Sequence, residues 1–205
     1  MVQGIQTLHL KFKYLKMFDQ FRDRFPQLKD KWDEYMSYYN RIEVPAKTVL
    51  LKEGQVSQKA FFIEKGCLRA WFNNNDKDVT FQFAFENEVL SGAESFRKSI
   101  PSFFTIEAIE PSVLHWIHKK DLDKIIDETS QIPEMKNNML DAAFDRQYHY
   151  MKHFLSFIKD TPEQRYLNLI KEKPHIVQRV PQQYIATYLG ITPVSLSRIR
   201  NRLAK

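Results

Sequence analysis

The sequence predicts an α+β chain: short strands in the middle, helices on either side, and a helix-turn-helix at the C-terminal end. Three observations predict it. Six segments rich in β-branched and aromatic residues, Thr48–Leu51, Ala60–Glu64, Leu68–Phe72, Val79–Phe85, Phe103–Ala108 and Val113–Ile117, are separated by frequent turn signals. A long apolar pattern of helical period runs from Pro133 to about Ile158. Pro181–Lys205 then carries the punctuation of two short helices around a tight corner.

Composition bounds the answer. With 205 residues, 43% hydrophobic and 14% aromatic, the chain has material for real cores. A net charge of +6 and a pI near 9.2 suit a polyanionic partner. Cys67 is the single cysteine, which excludes an internal disulfide and a one-chain iron–sulfur cluster. Lys11, Lys13 and Lys16 interrupt the apolar positions at the start, unlike a signal peptide. No run approaches the roughly twenty apolar residues of a membrane span. A cytoplasmic protein with no membrane partner is expected.

Leu8–Tyr39 reads as helical with a break at Phe25-Pro26. Phe12, Leu15, Phe18, Phe21 and Phe25 recur at helical spacing before it, and Trp32, Tyr35, Met36 and Tyr39 after it. Such a face packs on a neighbouring domain. From Ile42 onward the strands begin, with turns at Glu53-Gly54, Lys65-Gly66, Asn73-Asn74-Asn75-Asp76, Ser91-Gly92 and Glu110-Pro111. This rhythm indicates a β sandwich or barrel. In Val79–Phe85 the odd positions face one way and Thr80, Gln82 and Ala84 the other, the pattern of a half-buried strand. Asp121 to about Glu128 is a short helix.

The long helix carries two adjoining apolar stripes. Leu140, Phe144, Met151, Leu155 and Ile158 form one; Ala143, Tyr150, Phe154 and Phe157 form the other. Together they are broader than a helix lying on one sheet needs, so one stripe is expected to pack within the chain and the other, Leu140 to Ile158, against a second copy. The sequence Asp160-Thr161-Pro162-Glu163-Gln164 has the chemistry of a helix start, and that helix should end near Lys173-Pro174.

In the C-terminal segment, Ile185, Ala186 and Leu189 share one face of a first helix. Gly190 supplies the positive φ that a helix exit wants. Thr192 caps the next helix and Pro193 takes its first position. Leu196, Ile199 and Leu203 point back toward the first helix, while Ser195, Ser197, Arg198, Arg200, Asn201 and Arg202 point away. A basic outer face on a capped helix suits phosphates and base edges; the plain alternative is a solvated helical hairpin.

The order of elements, the segment Ile185–Arg200, and the β-domain openings Val49–Gly54 and Phe61–Arg69 resemble the superfamily of bacterial transcription regulators typified by the cyclic-AMP receptor protein and FNR, most of all its short Bacteroidetes-type members. The resemblance implies a jelly roll like a cyclic-nucleotide-binding domain. It implies a homodimer joined through the long helices, with double-stranded DNA as partner and RNA polymerase as a further contact. The domains would be leading helices over 1–41, the β domain over 42–130, the dimerisation helix over 131–159 and the helix-turn-helix domain over 160–205. The base-reading positions fall on Pro193, Val194 and Arg198. Thr192, Ser195 and Ser197 would neighbour them, and Arg200 and Arg202 would meet phosphates. Lys205 follows the recognition helix directly, so any β wing must precede it, in His175–Val180.

The family's phosphate cassette pairs Gly-Glu with a later Arg-Ser. Here Gly92 and Glu94 are split by Ala93, and the Arg-Ser position falls near Ser102-Phe103, with Ser95 and Arg97 between. A buried cyclic phosphate facing Phe103 lacks its counter-charge. Gly92, Glu94, Ser95, Arg97, Ser102 and Phe103 therefore outline a pocket that should not hold cyclic AMP tightly. The pocket is filled by aromatics or takes another ligand, and no cofactor is assigned; no metal is expected, since His149 and His153 have metal-compatible spacing but no third ligand. A cupin-like metal enzyme and a structural interaction module are the rival classes. The first lacks clustered histidines on its strands, and no catalytic motif is present.

Overall fold

The computed structural model describes Asp23 and residues 25–204. Phe12, Leu15, Phe18 and Phe21 of the expected first helix lie outside the described residues. Contacts divide the chain into two compact units. The first runs to Ala70 and resumes over Phe83–Ile126; the second combines Trp71–Gln82 with the chain from Asp127 onward.

In the first unit, Pro26–Leu28 forms a single 3-10 turn before α1 (Lys29–Ser37). Tyr35, Met36 and Tyr39 are buried, and Tyr39 meets Phe62 edge-on at 5.1 Å. The apolar face after the proline thus packs on the β domain, as its spacing predicts. Eight strands follow: β1 (Asn40–Val44), β2 (Val49–Leu51), β3 (Lys59–Lys65), β4 (Leu68–Asn74), β5 (Lys77–Ala84), β6 (Val89–Leu90), β7 (Thr105–Ala108) and β8 (Ser112–His118). They form two four-stranded sheets, ordered β1-β8-β3-β6 and β2-β7-β4-β5. The β1–β8, β3–β8, β3–β6 and β2–β7 pairs are antiparallel, with Phe61 opposite Trp116 and Ile63 opposite Leu114. This is the expected jelly roll. Ile63, Leu68, Ile106, Leu114 and Ile117 are wholly buried in its core.

Two strands were not read from the sequence as separate elements. β1 opens with the polar Asn40-Arg41, and β6 is only Val89–Leu90, held to Phe61 and Phe62 of β3. Strand β7 begins at Thr105 rather than Phe103. Helix α2 (Ala93–Lys98) lies between β6 and β7, and α3 (Lys119–Thr129) closes the unit. Lys124 of α3 bonds Glu34 of α1 at 2.7 Å.

The second unit holds the outer ends of β4 and β5 and five helices. These are α4 (Pro133–Lys159), α5 (Pro162–Glu172), α6 (Pro174–Arg179), α7 (Gln182–Tyr188) and α8 (Pro193–Leu203). Strand β5 departs from the half-buried pattern expected of it. Thr80, which should face solvent, is 1% exposed, because its N–H donates to the Thr187 hydroxyl of α7 at 3.2 Å. Gln82 on the same face accepts from the Tyr150 hydroxyl of α4 at 2.7 Å. Helices cover the side that a two-residue alternation assigns to water.

His175–Val180 is also not the β hairpin proposed for it. Pro174 sits at the first position of α6, where its missing N–H is harmless, and Ile176 and Val180 are buried, which fixes a helical turn.

Candidate nucleic-acid interface

The interface is built from the corner between α7 and α8. Ile185, Ala186 and Leu189 on α7 are buried, as are Leu196 and Ile199 on α8. Leu203 is not: at 41% exposed it corrects the expectation that it packs back. At about 1.5 Å per residue, the eleven residues of α8 outreach the seven of α7, so the last turn of α8 extends past α7.

Gly190 leaves α7 with φ +66, and a Cβ there would lie 2.7 Å from Phe157 Cε1. Both the left-handed backbone and the approach of the Phe157 ring therefore require glycine. Thr192 caps α8 by accepting from the Ser195 N–H at 3.1 Å, and its hydroxyl also meets the Ser195 hydroxyl at 2.9 Å. Pro193 holds the first helical position.

The corner is locked from behind by Arg165 on α5. Its Nε donates to the Leu189 carbonyl at 3.0 Å and its Nη1 to the Asp160 carbonyl at 2.8 Å, while the guanidinium lies 4.9 Å over the Phe157 ring. Sequence reasoning did not single out Arg165. The signal available was an arginine one turn inside the Thr161-capped helix, too common to interpret alone.

The predicted interface residues are differently placed. Pro193, Val194, Ser197 and Arg198 are exposed on one side of α8. Thr192 and Ser195 are occupied in the cap. Arg202 forms an ion pair with Glu163 of α5. Arg198 has no ion-pair partner among the described residues and Arg200 is half-buried.

On α4 the predicted stripe is bare. Leu140, Phe144, Met151, Leu155 and Ile158 are all exposed, Phe144 at 66% and Ile158 at 69%. On the second stripe, Tyr150 reaches Gln82 and Phe157 lies under Gly190, while Phe154 remains open.

The predicted effector residues surround α2. Gly92 is buried, and a Cβ there would meet Leu51 Cδ2 at 2.8 Å and Ser57 Cβ at 3.1 Å. The Ser95 hydroxyl accepts from the Ser57 N–H at 2.8 Å and donates to the Ile100 carbonyl. The Ser102 hydroxyl donates to the Phe104 carbonyl at 2.8 Å. Glu94, Arg97 and Phe103 are exposed, with Glu94 bonded to Lys98 at 2.8 Å. So the geometry draws Gly92, Ser95 and Ser102 into the packed interior and leaves the charged members of the set on the surface.

His149 and His153 share one side of α4 with different surroundings. His149 Nε2 accepts from the Lys173 ammonium at 2.8 Å, and His153 stacks on Tyr188 with ring centroids 4.5 Å apart. No group of three or more His, Cys, Asp or Glu among the described residues is arranged to hold a metal. Burial, then the charges of Lys173, His149 and Arg165, lowers the His153 pKa from 6.5 to about 4. The folded value lies below the unfolded one, so stability is full above about pH 6.5 and declines as pH falls toward 4. Urea unfolding at pH 7.5 and pH 5 should show that decline, and His153→Phe, which keeps a ring on Tyr188, should reduce it.

Residues 41–129 match the family described as cyclic nucleotide-binding domain. Among solved structures, FixK2 from Bradyrhizobium japonicum is similar at 14% identity and a TM-score of 0.68, covering 81% of this chain and 84% of that one. CLP from Xanthomonas campestris, described as a c-di-GMP responsive global regulator, gives 11% identity and 0.65 over 86% of this chain and 91% of that one. A CooA mutant from Carboxydothermus hydrogenoformans gives 15% and 0.64 over 82% and 77%. No curated protein matches the sequence. The β domain is thus similar to a cyclic nucleotide-binding domain. Over more than 80% of its length the chain shares the fold of these three solved structures.

Proposed function

We propose that this protein is a homodimeric, sequence-specific DNA-binding transcription regulator of the cytoplasm, and not an enzyme. The observation that carries the reading is the outer face of α8. A helix whose start is fixed by Gly190 and Thr192 presents Arg198, exposed and without a carboxylate, beside Pro193, Val194 and Ser197. A guanidinium in that setting makes the two-pronged contact to guanine O6 and N7. Val194 offers only an apolar surface, suited to a thymine methyl. Arg200 serves as a phosphate contact. Arg202 does so only by leaving Glu163, so it contributes less. The bare stripe of α4 joins two copies, so two recognition helices read two half-sites. RNA polymerase is the further partner that this reading allows.

The β domain reads as a sensor-like scaffold that does not bind cyclic AMP tightly. The Ser95 and Ser102 hydroxyls are spent within the fold, and the family's Arg-Ser position falls near Ser102-Phe103, which supplies no cation. Cyclic-AMP titration by calorimetry is expected to show no tight site.

Fluorescence anisotropy with the DNA upstream of the protein's own gene tests the main reading. Sequence-selective binding that weakens steeply with salt is expected. Arg198→Ala should reduce operator affinity about tenfold to a hundredfold and relax selectivity at one base pair of each half-site. Equal binding to operator and random DNA would count against the reading.

A further inference from the structure

We propose that the cleft between α4, α5 and the end of α7 binds a small phosphate-bearing anion. It has a volume of about 380 Å³ and lies wholly within the second unit. Its walls carry four cations, Lys152, Lys159, Arg165 and Lys173, against two carboxylates, Asp160 and Glu172.

The carboxylates do not neutralise all four. Glu172 pairs with Lys152 at 2.8 Å. The Asp160 carboxylate accepts from the Asn168 amide at 3.3 Å and forms no ion pair among the described residues. Arg165 is held by backbone carbonyls rather than by a carboxylate, and Lys159 has no ion-pair partner among the described residues. A dianion offsets the surplus, and a phosphomonoester carries close to two negative charges at neutral pH. The neutral polar groups beside the cations are engaged within the fold: Ser156 donates to the His153 carbonyl at 2.6 Å, Gln164 to Asn168 at 3.1 Å and Asn168 to Asp160 at 3.3 Å, so the cations supply the recognition. Lys173 donates to His149, so the imidazole extends the hydrogen-bonding wall. Tyr188, Leu189 and Leu169 supply the apolar part, with His153 stacked on Tyr188. A few converging polar groups over an apolar base is the ordinary make-up of a small-molecule site.

On α4 the His149, His153 and Ser156 wall of this cleft faces away from the stripe, while Lys152 and Lys159 flank it. At 3.6 residues per turn, His149, His153 and Ser156 lie about half a turn around α4 from Met151. The bound anion would touch Arg165, whose guanidinium also holds the carboxyl end of α7. It would thereby bear on the setting of the recognition helix.

The binding claim does not depend on DNA recognition and is tested without DNA. Inorganic pyrophosphate is titrated into the full chain at constant ionic strength, followed by calorimetry and by the imidazole NMR signals of His149 and His153. Saturable binding of one pyrophosphate per protomer with shifts of both imidazoles is expected. Lys159→Gln with Lys173→Gln should weaken it about tenfold. Lys120→Gln with Lys136→Gln, which removes two charges elsewhere, should not, and circular dichroism establishes that both variants fold. Unsaturable heat, unmoved imidazoles, or binding abolished by Arg198→Ala but kept in the cleft variant would each overturn the proposal. The last result would assign pyrophosphate to the recognition helix. Anisotropy with and without pyrophosphate then asks separately whether the cleft alters DNA affinity.

Discussion

Phe144→Glu combined with Leu155→Glu is expected to turn the protein into a monomer at micromolar concentration and to lower its operator affinity by a factor of about 10² or more. The stripe Leu140, Phe144, Met151, Leu155 and Ile158 lies on 27 residues of helix, and all five side chains are exposed. Phe144, Met151 and Ile158 are seven residues apart, the repeat with which two helices wind together. Burying each large side chain stabilises association by about 1.5–3 kcal/mol, and an apolar surface of this extent marks an interface. Two carboxylates on the seam remove that gain and add like-charge repulsion across the two-fold axis. DNA affinity falls with dimerisation because each copy then reads one half-site without the tethered second contact. Sedimentation velocity gives the mass and anisotropy gives the affinity. Glutamates at Ala142 and Arg146, on the opposite side of the helix from the stripe, should leave both unchanged. A variant that still sediments as a dimer would move the interface elsewhere.

The parts of the fold legible in the sequence were those with local punctuation. The start of α5 at Thr161-Pro162, the exit at Gly190 and the start of α8 at Thr192-Pro193 depend on residues within one turn, and the structure places them there. The long stripe on α4 was legible for the same reason, since helical periodicity survives any tertiary context. What escaped depended on contacts distant in sequence. Thr80 is buried by Thr187, and a period-two pattern carries no information about which helix returns to cover it. The two-residue β6 exists because Phe61 and Phe62 offer it an edge. In the candidate site, the outward face of α8 was readable, but its electrostatic state was not. Arg198 and Arg202 both read as exposed cations in sequence, and the ion pair that engages Arg202 depends on the distant Glu163. The α4–α5 cleft was invisible because its cations come from three segments with no common motif.

Replacing Glu107 by Ala is expected to destabilise the jelly roll by about 3–5 kcal/mol, the largest single-residue effect expected in the chain. Arg69 on β4 and Glu107 on β7, neighbouring strands of one sheet, meet in the interior with 3% and 8% of their side chains exposed. Arg69 Nη2 donates to Glu107 Oε2 at 2.7 Å and Nε donates to the same oxygen at 3.1 Å. Alanine removes the carboxylate that accepts two bonds from the buried guanidinium, and a shift in protonation cannot relieve the charge that remains. Arg69→Met with Glu107→Leu removes both charges and keeps most of the volume, so the double variant should recover most of the loss. For about 200 residues, 1 kcal/mol corresponds to roughly 2–4 °C, so the single variant should melt about 10 °C lower. Urea denaturation at fixed protein concentration measures the difference, and the double-mutant cycle isolates the pair from the strand contacts that each side chain also makes. Recovery in the double variant would show that the cost lies in burying the Arg69 charge without the Glu107 carboxylate. Equal losses in the single and double variants would show that Glu107 matters for packing and that the ion pair itself contributes nothing.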